Sequence, residues 1–245
     1  MKINSVLSRP TQIVAMLAGL SMTALPVAAS IFDDFNTPPI NPAWEFFDAA
    51  GNGTGSLNAG NYDIGGSGVV SSRNDQFFAD GVFRVDLSRW TTGVPGGGSQ
   101  GILFRYSTAG NGYALILDED GTPNLSFIKI AGFGLSGQST ASPGLTLNAA
   151  GAGYTLEATV IGTSFTGKLF DKSNSQLLAT VNWTDTDYSS GRGGLIVAND
   201  GTPTGLPFPG ASFDNFSIAP VPEPGTMALF ALGALVTGAS LRRRK

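Results

Sequence analysis

"YTLEATVIGTSFTGKLFD", Tyr154–Asp171, decides the fold class. Tyr154, Leu156, Ala158 and Val160 alternate with Thr155, Glu157 and Thr159. A period of two puts the first set on one face of a strand and the second on the other. "IGTS" then supplies a turn, and a second strand-like run, "SFTGKLFD", follows at once. This is the signature of a half-buried antiparallel hairpin.

The same pattern spreads outward along the chain. "GVFRVDLSRW", Gly81–Trp90, places Phe83, Val85 and Leu87 opposite Arg84, Asp86 and Ser88. "QLLATVNWT" aligns Leu177, Ala179, Val181 and Trp183 on one face. Further strands are read in "GILFRYS", "YALILD", "NLSFIKI", "GGLIVAN" and "SFDNFSI". "TAGNG", "DEDGTP", "DKSNS" and "ANDGTP" separate them as turns. No stretch of helical period and adequate length lies between Ile31 and Ile218. The expectation is an all-β domain of about a dozen strands in a two-sheet antiparallel sandwich.

Composition agrees. The 245 residues include 34 glycines, about twice the usual share of roughly 7%, and only 13% charged residues. Cysteine and histidine are both absent, which excludes disulfides, thiol nucleophiles, Cys/His zinc sites and His-based triads. Between Ser30 and Pro220, seventeen acidic residues face eight basic ones, a net charge of −9. Such a domain lacks the basic stripe that phosphate backbones require, so nucleic acid is not an expected partner.

The two ends are of another kind. Lys2 and Arg9, the apolar run "IVAMLAGLSMTAL" and "PVAAS" read as a signal peptide over residues 1–29, cleaved after Ala29. Near the other end, Thr226–Leu241 is apolar and uncharged. As a helix it would span about 24 Å, short of a hydrocarbon core of roughly 30 Å, so it reads as a transient inner-membrane anchor. Arg242, Arg243, Arg244 and Lys245 follow directly, a cluster that stays cytoplasmic and leaves the sandwich outside the inner membrane.

Residues 221–245 carry more than an anchor. "VPEP", the short apolar helix and the basic tail resemble, in that order, the PEP-CTERM sorting signal of exported proteins from Gram-negative bacteria that make exopolysaccharide. The resemblance implies an exosortase as partner and cleavage near Pro222, Glu223 and Pro224, followed by release to the cell surface or extracellular matrix. Two prolines deny this stretch a helix and keep it extended, the form a peptidase binds. Within residues 30–220, "IFDDFN", Trp44 and the strand series ending in "SFDNFSI" resemble the concanavalin A-like lectin/glucanase jelly roll, laminin-G-like modules in particular. That resemblance implies adjacent first and last strands, with "FDDF" near "FDNF".

Three functions fit such a domain, because the fold does not choose among them. The first is binding or organising polysaccharide. Its expected site residues are Arg84, Asp86 and Trp90, with Arg105 taken to face outward against Phe104 and Tyr106 and "TTGVPGGGS" bordering the groove. The second is glycoside chemistry. Its candidates are Asp118, Glu119 and Asp120, which read better as a hairpin turn, and Asp185 with Asp187. The Glu-x-Asp-x-x-Glu spacing of laminarinase-like members is absent. The third is a structural or adhesive role without a small ligand. The resemblance to the jelly roll also implies a structural calcium ion joining the terminal strands, which Asp33 or Asp34 with Asp214 would hold; Asp34 and Asp214 are the expected pair.

Overall fold

The computed structural model describes residues 30–48, 51, 53–66, 68–89, 99–118, 123–140, 145, 153–198 and 210–221. Trp90, Gly96–Gly98, Glu119, Asp120, Ala29, Pro222–Pro224, the segment 226–241 and Arg242–Lys245 lie outside the described residues.

Fifteen strands are described, numbered in chain order: β1 Ile31–Asp33, β2 Trp44–Asp48, β3 Thr54–Asn58, β4 Asn61–Gly65, β5 Val69–Arg73, β6 Gly81–Arg89, β7 Ser99–Tyr106, β8 Gly112–Asp118, β9 Asn124–Ala131, β10 Gly134–Thr140, β11 Tyr154–Ile161, β12 Ser164–Asp171, β13 Leu177–Thr184, β14 Arg192–Ala198 and β15 Gly210–Ala219. They form two antiparallel sheets. The eight-stranded sheet runs β13-β12-β11-β6-β15-β4-β3, with β1 added beside β15. The seven-stranded sheet runs β10-β9-β8-β7-β14-β5-β2.

Period two holds where it was read most strongly. Phe83, Val85 and Leu87 of β6, and Leu156, Ala158 and Val160 of β11, are fully buried between the sheets. Full burial of each large side chain is worth roughly 1.5–3 kcal/mol. Ile31 pairs with Ile218, so the first and last strands are adjacent as expected. Trp44 is buried, and its indole N–H donates to Asp33 at 2.8 Å. Trp183 packs against the core edge-on to Tyr113.

Leu177 departs from its expected face. Leu169 pairs with Ala179 and Phe170 with Leu177, so β13 carries one extra residue there. This bulge turns Leu177 out to 49% exposure and brings Leu178 against the core instead.

Strands β7, β8, β9 and β14 bury apolar residues on both faces. Leu103, Ala114, Ile116, Ile128, Ile130, Ile196, Val70 and Tyr106 form a second buried cluster on the outer face of the seven-stranded sheet. Phe47 on the edge strand β2 stacks at 4.5 Å on Phe133, in the turn between β9 and β10. Groups from opposite edges meet, so this sheet curls and its outer face is concave, with the Glu45–Arg192 ion pair and the Gln138–Ser126 hydrogen bond beside the apolar cluster.

Arg105 corrects the sequence reading. It lies within β7 but is 3% exposed and is not an outward group of that sheet. Leu103 pairs with Gly194 and Tyr106 with Arg192, three steps on β7 against two on β14. The extra residue puts Arg105 in the left-handed region at φ 49° and breaks the alternation. Its guanidinium donates to the carbonyls of Ala79 (2.8 Å), Tyr188 (3.0 Å) and Gly162 (2.6 Å) and to Asp80 (3.1 Å). It also lies over the Phe165 ring. One side chain thereby ties the seven-stranded sheet to the β11–β12 turn and the entry to β6.

Removing a buried, paired charge strands its partners. Arg105→Ala is expected to lower unfolding stability by about 3 kcal/mol or more, with Arg105→Lys recovering only part because an ammonium cannot reach four acceptors. Denaturant unfolding measures both; a loss below about 1 kcal/mol for the alanine variant would contradict the role.

Candidate functional site

The outer face of the eight-stranded sheet is polar, and its side chains follow from register. Arg84 of β6 lies beside Glu157 of β11 and Ser217 of β15, and Ser217 in turn beside Phe32 of β1. One step along, Asp86 lies beside Thr155 and Asp214, and Thr155 beside Phe170 of β12. Two rows of outward groups therefore cross the middle of the sheet.

A bulge in β15 sharpens the second row. Asp214 pairs with Asp86 and Ser217 with Arg84, so β15 takes three steps where β6 takes two. The extra residue, Asn215, adopts φ 51°. Asparagine tolerates this left-handed geometry better than most residues. The bulge keeps Phe213, Phe216 and Ile218 fully buried while aiming the Asn215 amide across the face. Its Nδ2 donates to Asp86 and to Asp214, each at 3.0 Å, and its backbone N–H donates to Asp214 at 2.7 Å.

Lys172, just past β12, completes the cluster. Its ammonium lies 3.0 Å from Asp86 and 3.8 Å from Asp214. The Thr155 hydroxyl donates to the other Asp86 oxygen at 2.6 Å. Burial pushes the Asp214 carboxyl above its ordinary range, opposed by the Asn215 amide and Lys172 and assisted by the charges of Asp86 and Asp34. Arg84 stays half exposed, pairs with Glu157 at 3.6 Å and sits over the Phe170 ring at 5.8 Å.

These groups line an open depression of about 290 Å³ between Phe32 and Phe170. That is at the small end for small-molecule sites, roughly 300–1,000 Å³. Phe32, 65% exposed, is also a wall of a neighbouring depression of about 330 Å³ lined by Asp33, Asp34, Thr37 and Asn41. The arrangement offers flat apolar rings beside hydrogen-bonding groups of both senses. It offers no free carboxylate pair, because Lys172, Asn215 and Thr155 engage Asp86 and Asp214.

The structure thus brings together Arg84, Asp86 and Asp214 and places Arg105 elsewhere. Asp34 is half-buried and accepts from the Asn36 backbone N–H, and the Asn36 side chain and backbone keep its carboxyl below the ordinary range. Among the described residues, no group of three or more Asp, Glu, His or Cys is arranged to hold a metal ion. Sequence reading missed Phe32, Thr155, Phe170, Lys172 and Asn215. The outward parity of Phe32 and Phe170 was a visible signal, and so was the step of three from Phe213 to Phe216, which breaks period two at Asn215.

Asp185 and Asp187, the other carboxylate pair, are clamped by Lys129 at 2.7 and 2.8 Å. The Tyr113 hydroxyl donates to Asp185 at 2.6 Å and accepts from the Tyr188 backbone N–H at 3.0 Å. Burial raises the Asp185 carboxyl, but the bonds from Lys129 and Tyr113 outweigh it and hold it below the ordinary range. This is a fastening between β8, β9 and the segment after β13.

Residues 220–245 match the PEP-CTERM protein-sorting motif. No curated protein matches the chain. Among solved structures, the Bacillus licheniformis beta-glucanase superposes with a TM-score of 0.55 at 14% identity, covering 79% of this chain and 99% of that one. The VIP36 exoplasmic/lumenal domain, in its Ca2+/Man2-bound form, gives 0.53 at 12% identity over 78% of this chain and 87% of that one. GH43B from the Bacteroides ovatus xyloglucan locus gives 0.54 at 15% identity over 78% of this chain, which spans 39% of that longer one. The sandwich has the concanavalin A-like lectin/glucanase jelly-roll fold, and a PEP-CTERM sorting motif follows it.

Proposed function

We propose that this is an exported, exosortase-sorted protein of the cell envelope or matrix whose sandwich binds or organises polysaccharide. The C-terminal motif supports the sorting part. On this reading Pro222, Glu223 and Pro224 direct processing while the apolar segment and basic tail hold the substrate at the inner membrane. The observation that carries the binding part is the depression between Phe32 and Phe170, where Arg84, Asp86 and Thr155 converge. Aromatic faces beside directed polar groups suit a sugar ring, which is apolar on its faces and hydroxylated at its rim. Binding is favoured over glycoside hydrolysis because hydrolysis needs two available carboxylates. Those of the depression are already committed to Lys172 and Asn215. The neighbours' glucanase and mannose-bound forms are consistent with a sugar ligand but do not choose one.

A glycan array probed with residues 30–221 tests the binding part. The expected result is a restricted set of polysaccharide fragments, with Phe32→Ala and Arg84→Ala each lowering affinity about 10-fold, or 1.4 kcal/mol, at unchanged melting temperature. A blank array, or variants that bind as the parent does, would overturn it.

Calcium enters the proposal through the same corner. Lys172 supplies the positive charge that an ion between Asp34 and Asp214 would otherwise bring. Lys172→Ala should therefore cost about 1 kcal/mol at pH 7 and raise the Asp214 carboxyl further. A carboxyl raised in the folded state binds its proton more tightly there, so stability rises as pH falls through that value. The loss should shrink towards pH 4, and calcium at pH 7 should restore part of it by RT ln(1 + [L]/Kd). Melting curves with an equal loss at both pH values, indifferent to calcium and chelator, would contradict this.

A further inference from the structure

Charge divides the surface of the sandwich unevenly. The domain carries a net charge of −9, so two copies repel each other over most of their surface. The β13 flank is the exception. Leu177–Thr184 contains no charged residue and no proline, and among the described residues β13 pairs on one side only. An edge strand presents a row of backbone N–H and C=O groups open to pairing. Proteins ordinarily blunt such edges with lysine, proline, bulges or short length. The other edges show these devices: β2 carries Glu45 and Asp48, β3 has five residues, and β10 is bulged between Leu135 and Gly137. In β13 the bulge lies before Ala179, and Ala179–Thr184 continues as a regular ladder with β12.

The side chains fit the same picture. Thr180, Asn182 and Thr184 are exposed on the outer face. Trp183 faces inward yet is only half buried, with its ring at the open flank of the core beside Gly137 of β10. Leu177, 49% exposed, lies at the same edge. An inward tryptophan left half covered at a sheet edge is what a further strand would cover.

We propose that β13 is an interface for a second copy of this chain, which adds its own β13 antiparallel and continues the eight-stranded sheet across a two-fold axis. An isologous contact of this kind is self-complementary by symmetry. With the axis at Val181, Thr180 faces the second copy's Asn182 and Ala179 faces its Trp183. Inner residues then meet inner residues and outer meet outer, as the pleat requires. The two copies add backbone hydrogen bonds and cover both tryptophans without bringing like charges together. The site on the outer face stays open in both copies, so the pair presents two binding faces in one plane.

The chain has no cysteine, which makes a single introduced thiol unique. Asn182→Cys in the full chain, produced in an exporting bacterial host and treated with a short bis-maleimide, is expected to give a covalent dimer. Ser173→Cys, on an exposed turn away from this edge, is expected to give none. Adding Thr180→Glu to Asn182→Cys places like charges across the axis and should reduce the dimer at least 10-fold. Within one copy the same glutamate lies beside Lys168 and leaves protease resistance of the folded chain unchanged. No dimer from Asn182→Cys, equal yield from Ser173→Cys, or insensitivity to Thr180→Glu in a chain that stays protease-resistant would each overturn the proposal. Loss of glycan binding would not bear on it.

Discussion

The outer face of the eight-stranded sheet is in phase with one central strand. β6 buries Phe83, Val85 and Leu87 completely, with β11 on one side and β15 on the other. A slip of one residue would put three large apolar side chains in water and Arg84 and Asp86 in the core, so the register is firmly set. That single constraint fixes where Thr155, Glu157, Asp214 and Ser217 stand, because each is a cross-strand neighbour of Arg84 or Asp86. The depression is therefore a by-product of core packing, built on strands whose own positions are overdetermined.

Local departures from period two then place the chemistry. The extra residue at Asn215 lets β15 satisfy the core on both sides of the bulge while turning an amide towards two carboxylates. The extra residue at Arg105 does the opposite, drawing a cation inward to bind three carbonyls and Asp80. The same device thus furnishes one face with a polar cluster and locks the far end of the sandwich.

What could be read in the sequence follows from this. Alternation in "GVFRVDLSRW" and "YTLEATVIG" gave the inner face of β6 and β11 residue by residue, and with it the outward pair Arg84 and Asp86. The five-residue β2, β3, β4 and β5 went unread because so short a run carries little periodicity, and the seven-residue β10 because glycine, serine and threonine dominate it. Arg105 and Leu177 were misassigned because a bulge shifts parity without changing composition: Arg105 sits in one, and Leu177 lies just before another. Lys172 and Asn215 were missed because both meet Asp86 from far along the chain, and a single sequence does not display that. The sorting motif was legible because its three parts are contiguous.

The central claim is that recognition takes place on the outer face of the eight-stranded sheet. Mapping backbone amide shifts while titrating an oligosaccharide tests it most directly. The account predicts that the largest changes fall on Phe32, Arg84, Asp86, Thr155, Phe170 and Asn215. Changes centred on Leu103, Ile116 and Ile196 of the concave sheet, or none at saturating sugar, would contradict it.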